Sequence, residues 1–289
     1  MAQHLSDTRP VQPFASRFAE ARAKYGPLVF GLDPSGSMLE AWGLGDHPDG
    51  LDRFVDIVVG AAAGTVGIVK PQSAFYERHG WAGMRALARL IDEARSAGLL
   101  VIVDAKRGDV GSTNDAYAEA FLGAGGPFEA DALTVHPYLG LAAMGAFVTR
   151  ASESGSCLLV VTRSSNPEGR DVQGAVTDAG PSVEARLLAE IARLNRELTS
   201  DGVGPIGAVI GPNPALAALD LPSARGLFLA PGVGAQGATA HDVAEVFAAC
   251  PDRVMPSASR ALLDNGPDPA RLRDGAAAMA ADFRTALGA

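Results

Sequence analysis

Eight short apolar runs are strung along the chain, each separated from the next by a helix-like stretch. They cover Leu28–Asp33, Gly67–Gln72, Leu99–Lys106, Ala132–Pro137, Cys157–Arg163, Ile206–Gly211, Leu227–Gly232 and Arg253–Ser259. Near-continuous runs of Val, Ile and Leu are the pattern of strands covered on both faces, as in a parallel sheet packed between helices. The stretches Met84–Ala97 and Val183–Leu198 place apolar residues at helical spacing, with charges on the opposite face. Eight such units within 289 residues predict an α/β fold, a (β/α)8 TIM barrel in a single domain. A doubly wound open sheet is the rival. The turn after the first run, Gly31-Leu32-Asp33-Pro34-Ser35-Gly36, lacks the GxGxxG fingerprint of its dinucleotide-binding members.

With 47% hydrophobic and 20% charged residues, the chain can bury a sizeable core. Its formal net charge of -9 argues against non-specific nucleic-acid binding, while leaving room for a small anion in a local basic pocket. Cys157 and Cys250 are far apart, fit no metal spacing and stand beside no obvious base. They read as buried structural thiols of a reducing compartment. The N-terminal residues lack a basic region followed by an apolar core, and every apolar run is too short to span a bilayer. A cytoplasmic protein with no membrane partner is expected. Residues 1–12 are polar and read as a loose arm ahead of a catalytic domain at 13–289. No composition shift marks an internal boundary, and Ser164–Gly180 is long enough to be an active-site lid.

In a barrel, chemistry is carried at the C-terminal ends of several strands, and here those ends are polar. The runs finish in Asp33, in Lys70, in Asp104-Ala105-Lys106-Arg107-Gly108-Asp109, in Ser164-Ser165-Asn166, in the Pro231–Gly237 loop and in Ser257-Ala258-Ser259-Arg260. Strand alternation puts Asp104 and Lys106 on one face. A bend at Gly108 would free Asp109 from that alternation. Each feature has a structural reading too. Asp33 suits a turn before Pro34, Lys70 can reach solvent, and Asp104 and Lys106 can form an ion pair. His136 can serve as an acid or base, or as a satisfied strand-end histidine. The Arg107-Gly108-Asp109 triplet resembles an adhesion motif only by coincidence of letters. A Gly-rich loop after strand 7 with an Arg after strand 8 is the common phosphate site of barrels. Backbone N–H groups around Gly234 and the fork of Arg260 are suited to phosphate oxygens. The carboxylates are not interleaved with His or Cys at ligand spacing, and Lys70 and Lys106 stand where a cation would sit. No metal is expected.

The run Asp104-Ala105-Lys106-Arg107-Gly108-Asp109-Val110, with Thr113 beyond it, resembles the DxKxxD signature of the orotidine 5'-phosphate decarboxylase family. Gly31-Leu32-Asp33-Pro34, Lys70-Pro71, the Pro231-Gly232-Val233-Gly234-Ala235-Gln236-Gly237 loop and Ser259-Arg260 follow in the family's order. The form DAKRGDVGST and the chain length are similar to the bacterial type 2 branch. The resemblance implies a (β/α)8 homodimer without cofactor or metal that converts orotidine 5'-phosphate to UMP and carbon dioxide. Lys70, Asp104, Lys106 and Asp109 would form the charged catalytic network, with Asp109 and Thr113 reaching into the neighbouring subunit's site. Asp33 would bind the ribose, Gln236 and Arg260 the phosphate, and Ser165, or alternatively Ser164, the pyrimidine amide.

Loss of carbon dioxide from C6 leaves a carbanion in the ring plane, where delocalisation is poor, so preorganised charge must stabilise it. An ammonium at Lys106 suits both that task and the protonation that follows. The alternative enzyme is a magnesium-dependent sugar-phosphate decarboxylase or aldolase of the same superfamily. Such enzymes carry an acidic residue at strand 2, where this chain has Lys70. A non-catalytic nucleotide-binding barrel would show a broken charge network, whereas this one is complete.

Overall fold

The computed structural model describes residues 12–178, 180–235 and 237–288. Eight parallel strands close on themselves in sequence order, β8 pairing with β1. They are β1 (Val29–Leu32), β2 (Ile68–Pro71), β3 (Leu100–Arg107), β4 (Ala132–Val135), β5 (Cys157–Arg163), β6 (Ile206–Ile210), β7 (Phe228–Ala230) and β8 (Val254–Ala258). Closure removes the open-sheet rival, and the (β/α)8 expectation holds. The expected arm lies, apart from Gln12, outside the described residues.

Around the strands lie α1 (Phe14–Tyr25), α2 (Gly36–Ala41), α3 (Pro48–Ala62), α4 (Ser73–Glu77), α5 (Gly80–Ser96) and α6 (Gly111–Phe121). They continue with α7 (Gly145–Ser154), α8 (Arg170–Gln173), α9 (Val183–Leu198), α10 (Ala240–Val246), α11 (Arg260–Leu263) and α12 (Pro269–Leu287). The helix α9 shows why the sequence folds this way. Ser182 caps it by accepting from the Ala185 N–H, and Leu188, Ile191, Ala192 and Asn195 form its buried face. The Asn195 amide then donates to the carbonyls of Ile206 and Ala224, fastening the helix to β6.

Strand alternation divides the core in two. Val29, Ile68, Leu100, Ile102, Ala132, Cys157, Leu159, Val161, Val209, Leu229 and Met255 fill the barrel interior, with Phe14 and Phe18 of α1 closing its N-terminal end. The intervening Phe30, Val69, Val101, Val103, Leu133, Leu158, Val160 and Phe228 face the helices. Burial pushes the Cys157 thiol up to about 12, the inert state expected of a structural cysteine. Among the described residues no helix is long and apolar enough to cross a membrane.

Candidate active site

Extending the inward-facing parity by one step toward the C-terminal ends of the strands reaches Lys70 after Ile68, Asp104 after Ile102, Thr134 after Ala132 and Ser257 after Met255. All four are buried, and all line one cavity of about 720 Å3 whose floor is Val161, Val209 and Leu229. The fold thus sets a polar tier directly above an apolar plug. Asp33, Lys106, Ser164, Ser165 and Arg260 line the same cavity.

At its base the charges are tightly paired. Lys70 Nζ donates to Asp104 Oδ2 at 3.0 Å, and Lys106 Nζ donates to Oδ1 at 2.5 Å. The Thr134 hydroxyl donates to the same Oδ1 at 2.8 Å. Burial would push the Asp104 carboxyl up. The Lys70 and Lys106 ammonium groups, with the hydrogen bonds from Lys106 and Thr134, instead hold it well below the usual carboxylate range. Burial would likewise lower Lys70, but Asp104 and then Asp33 lift it above the ordinary lysine value. Both groups are therefore charged at neutral pH. One oxygen of Asp33, Oδ1, is buried without a hydrogen-bond partner among the described residues, an acceptor free for a ligand hydroxyl.

Lys106 is not held by simple alternation. Its φ is 46°, in the left-handed region that costs a side-chain-bearing residue about 1–2 kcal/mol. The cause is a bulge. Val103 pairs with Leu133 and Arg107 with Val135, so three residues of β3 stand opposite the single Thr134. The expected bend at Gly108 has a different basis. A Cβ there would lie 2.4 Å from the His136 carbonyl oxygen, so this glycine permits close approach to the end of β4, and the left-handed turn falls at Lys106.

Asp109 and Thr113 are not among the residues lining this cavity. Buried Asn114 holds the Asp109 backbone from both sides, its Oδ1 accepting from the N–H at 2.9 Å and its Nδ2 donating to the carbonyl at 2.5 Å. His136 is exposed, lies outside the cavity lining and donates its backbone N–H to the Arg107 carbonyl. Partial burial, then neighbouring Lys106, lowers its pKa.

At the rim, Gly232, Val233 and Ala235 line the cavity. Gly234, at φ 73°, makes the turn, with its N–H donated to the Ala238 carbonyl. Gln236 lies outside the described residues. Arg260 opens α11, its carbonyl accepting from the Asp264 N–H, while its guanidinium makes no hydrogen bond or ion pair among the described residues and is left available.

The segment after β5 folds back on its own root. The Ser164 N–H donates to Gln173 Oε1 at 2.9 Å, and Gln173 Nε2 donates to the Ser164 hydroxyl at 2.8 Å. Ser165 is exposed, and its hydroxyl is unpartnered among the described residues. Beneath them Arg163 donates to both oxygens of Glu184, each at 2.7 Å. Arg170 of α8 adds a contact at 3.3 Å. A register shift between Val161 and Arg163 against β6 turns Arg163 out of the barrel toward α9.

Thr134, Gln72, Asn114 and Gln173 do not stand out as site residues in the sequence. Of these only Thr134 carried a signal: it is a polar residue two positions after Ala132, on the inward parity.

Comparison with known proteins matches residues 26–273 to the Orotidine 5'-phosphate decarboxylase / HUMPS family. The chain belongs to this family. It is 47% identical over 278 residues to an orotidine 5'-phosphate decarboxylase of Streptomyces coelicolor, covering 96% of this chain and 99% of that one. A Salinispora arenicola orotidine 5'-phosphate decarboxylase is 43% identical over 277 residues, with 96% and 99% covered. A solved Streptomyces avermitilis protein described as an orotidine 5'-phosphate decarboxylase superposes with a TM-score of 0.90 at 46% identity, covering 96% and 97% of the two chains.

Proposed function

We propose that the chain decarboxylates orotidine 5'-phosphate to UMP and carbon dioxide in pyrimidine biosynthesis. The carrying observation is the buried Lys70–Asp104 pair with the more exposed Lys106 ammonium on the same carboxylate, at the base of a cavity whose rim holds a Gly-rich turn and an arginine whose side chain has no partner among the described residues. Near-full-length relatives named orotidine 5'-phosphate decarboxylase agree with it.

In this reading the 232–235 turn, Gln236 and Arg260 bind the substrate phosphate, and Asp33 takes a ribose hydroxyl. Ser165 contacts the pyrimidine amide, since the Ser164 hydroxyl is occupied by Gln173. The C6 carboxylate is then directed at Asp104, whose charge opposes it. The C6–carboxylate bond breaks, carbon dioxide leaves, and the electron pair stays on C6. The Lys106 ammonium, already aligned by Asp104, stabilises that pair and donates its proton to C6, then recovers one from solvent. Lys70 fixes the Asp104 carboxylate. Phosphate binding far from C6 supplies energy for orienting the ring.

We also propose a cytoplasmic homodimer in which Asp109 and Thr113 complete the partner's site. Their position outside their own cavity supports this, as do exposed Val110, Tyr138 and Leu139 on neighbouring segments. The two buried free thiols fit a reducing compartment.

The test follows loss of orotidine 5'-phosphate absorbance in the presence of a chelator. Wild-type turnover should persist, and Lys106→Ala with an unchanged melting profile should release no carbon dioxide. Unchanged turnover in that variant overturns the role of Lys106. Loss of wild-type turnover with chelator favours the magnesium-dependent alternative, which Lys70 at the end of β2 disfavours.

A further inference from the structure

We infer that Thr134 is a positioning residue for the decarboxylation, and that its hydroxyl locks the proton-donating Lys106 and the Asp104 carboxylate into one unit. The inference rests on the roles proposed above for those two residues.

The bulge in β3 creates the need for such a lock. Where β3 uses Asp104, Ala105 and Lys106 against the single Thr134, the backbone ladder to β4 is interrupted. The Lys106 N–H would lose its partner there. It donates instead to the Thr134 hydroxyl at 3.0 Å. The same oxygen carries one proton, which it gives to Asp104 Oδ1 at 2.8 Å. One hydroxyl thus accepts from the residue that supplies the proton and donates to the residue that aligns it. Thr134 is 1% exposed, so water is poorly placed to substitute. Its rotamer is restricted by β-branching and by its place inside the barrel. Lys106 holds a left-handed φ, a conformation that persists only when its surroundings enforce it, and the hydroxyl is one such restraint.

Gln72 works from the other side. Its Nε2 donates to the Asp104 carbonyl at 3.0 Å, and its Oε1 accepts from Lys106 Nζ at 3.4 Å. The longer contact with the ammonium leaves Thr134 as the tighter of the two restraints. A residue that sets the Lys106 trajectory toward C6 affects the step in which charge develops at C6. It does not affect the binding of phosphate or ribose, so its removal should lower kcat and spare KM.

The experiment compares Thr134→Val, which keeps shape and removes the hydroxyl, with Thr134→Ala and Thr134→Ser. Each is measured for melting temperature, kcat, KM and the inhibition constant of UMP, which lacks the departing carboxylate. Val and Ala variants should lose about 10- to 100-fold in kcat, with KM and UMP binding within about threefold of wild type. Thr134→Ser should restore most of the turnover. Wild-type kcat in the Val or Ala variant overturns the inference. So does a parallel fall of kcat and UMP affinity, which marks a merely structural role, or a serine variant as slow as the valine one. Lys106→Ala is assayed alongside. If it retains turnover, the underlying assignment of Lys106 has failed. If it is inactive while Thr134→Val is fast, only the inference about Thr134 has failed.

Discussion

Single hydroxyls and single charges carry most of what is specific in this barrel. Ser164 and Ser165 are adjacent, yet Gln173 occupies only the former. Ser165→Ala should lower kcat/KM by about 10-fold or more, the worth of a buried hydrogen bond to a ligand. Ser164→Ala should change it by less than about threefold. Steady-state kinetics on both variants decide this, and the reverse order would move the pyrimidine contact to Ser164. The buried pair also shapes stability against pH. Asp104 titrates below the ordinary carboxylate value, so its pairing favours the folded state above about pH 3.9 and is lost as pH falls from there toward the folded pKa. Lys70 titrates above the ordinary lysine value. Its share is present below about pH 10.4 and is lost as pH climbs through the folded pKa. Urea unfolding across the acid range should therefore show a shallower loss of stability in Asp104→Asn than in the wild type. An identical acid limb would assign that limb to other carboxylates.

At the scale of elements, the alternation of apolar runs and amphipathic stretches was enough to locate every strand and to anticipate α9 at Val183–Leu198. Burial on both faces leaves a continuous mark in sequence, and helix periodicity leaves another. The two bulges left none. Counting by twos places Lys106 beside Asp104 correctly but for the wrong reason, because the bulge and a left-handed turn intervene. The same counting points Arg163 into the barrel, whereas the register shift against β6 sends it to Glu184. Short helices such as α2 and α4 lack the length for a periodic signal, so Met38 and Phe75, which they bring to the cavity, could not be read from the sequence, whereas Arg260 at the head of α11 was legible from its place after the last strand. The Arg163–Glu184 pair is the firmest tie between β5 and α9. Arg163→Met leaves a buried carboxylate with only the more exposed Arg170 beside it, and should destabilise the fold by about 3 kcal/mol. Urea unfolding measures this, and a loss below about 1 kcal/mol would place the pair among surface-like bridges.

For the whole molecule, the separation of Asp109 from its own Lys106 cavity makes a sharp expectation. Lys106→Ala and Asp109→Ala, each inactive alone, should recover about a quarter of wild-type activity when refolded together. In the proposed homodimer half the pairs are then mixed, and each mixed pair holds one intact site. No recovery, with mixed dimers verified by mass, would place Asp109 in its own subunit's chemistry.

Phe14 and Phe18 stopper the barrel at the end remote from the polar tier. The consequence concerns traffic. In the proposed reaction carbon dioxide forms beside Asp104 and beneath the nucleotide, and among the described residues the buried plug fills the barrel behind it. The gas and the nucleotide must leave through the opening by which the substrate came in. A site still holding UMP is a site closed to the next substrate.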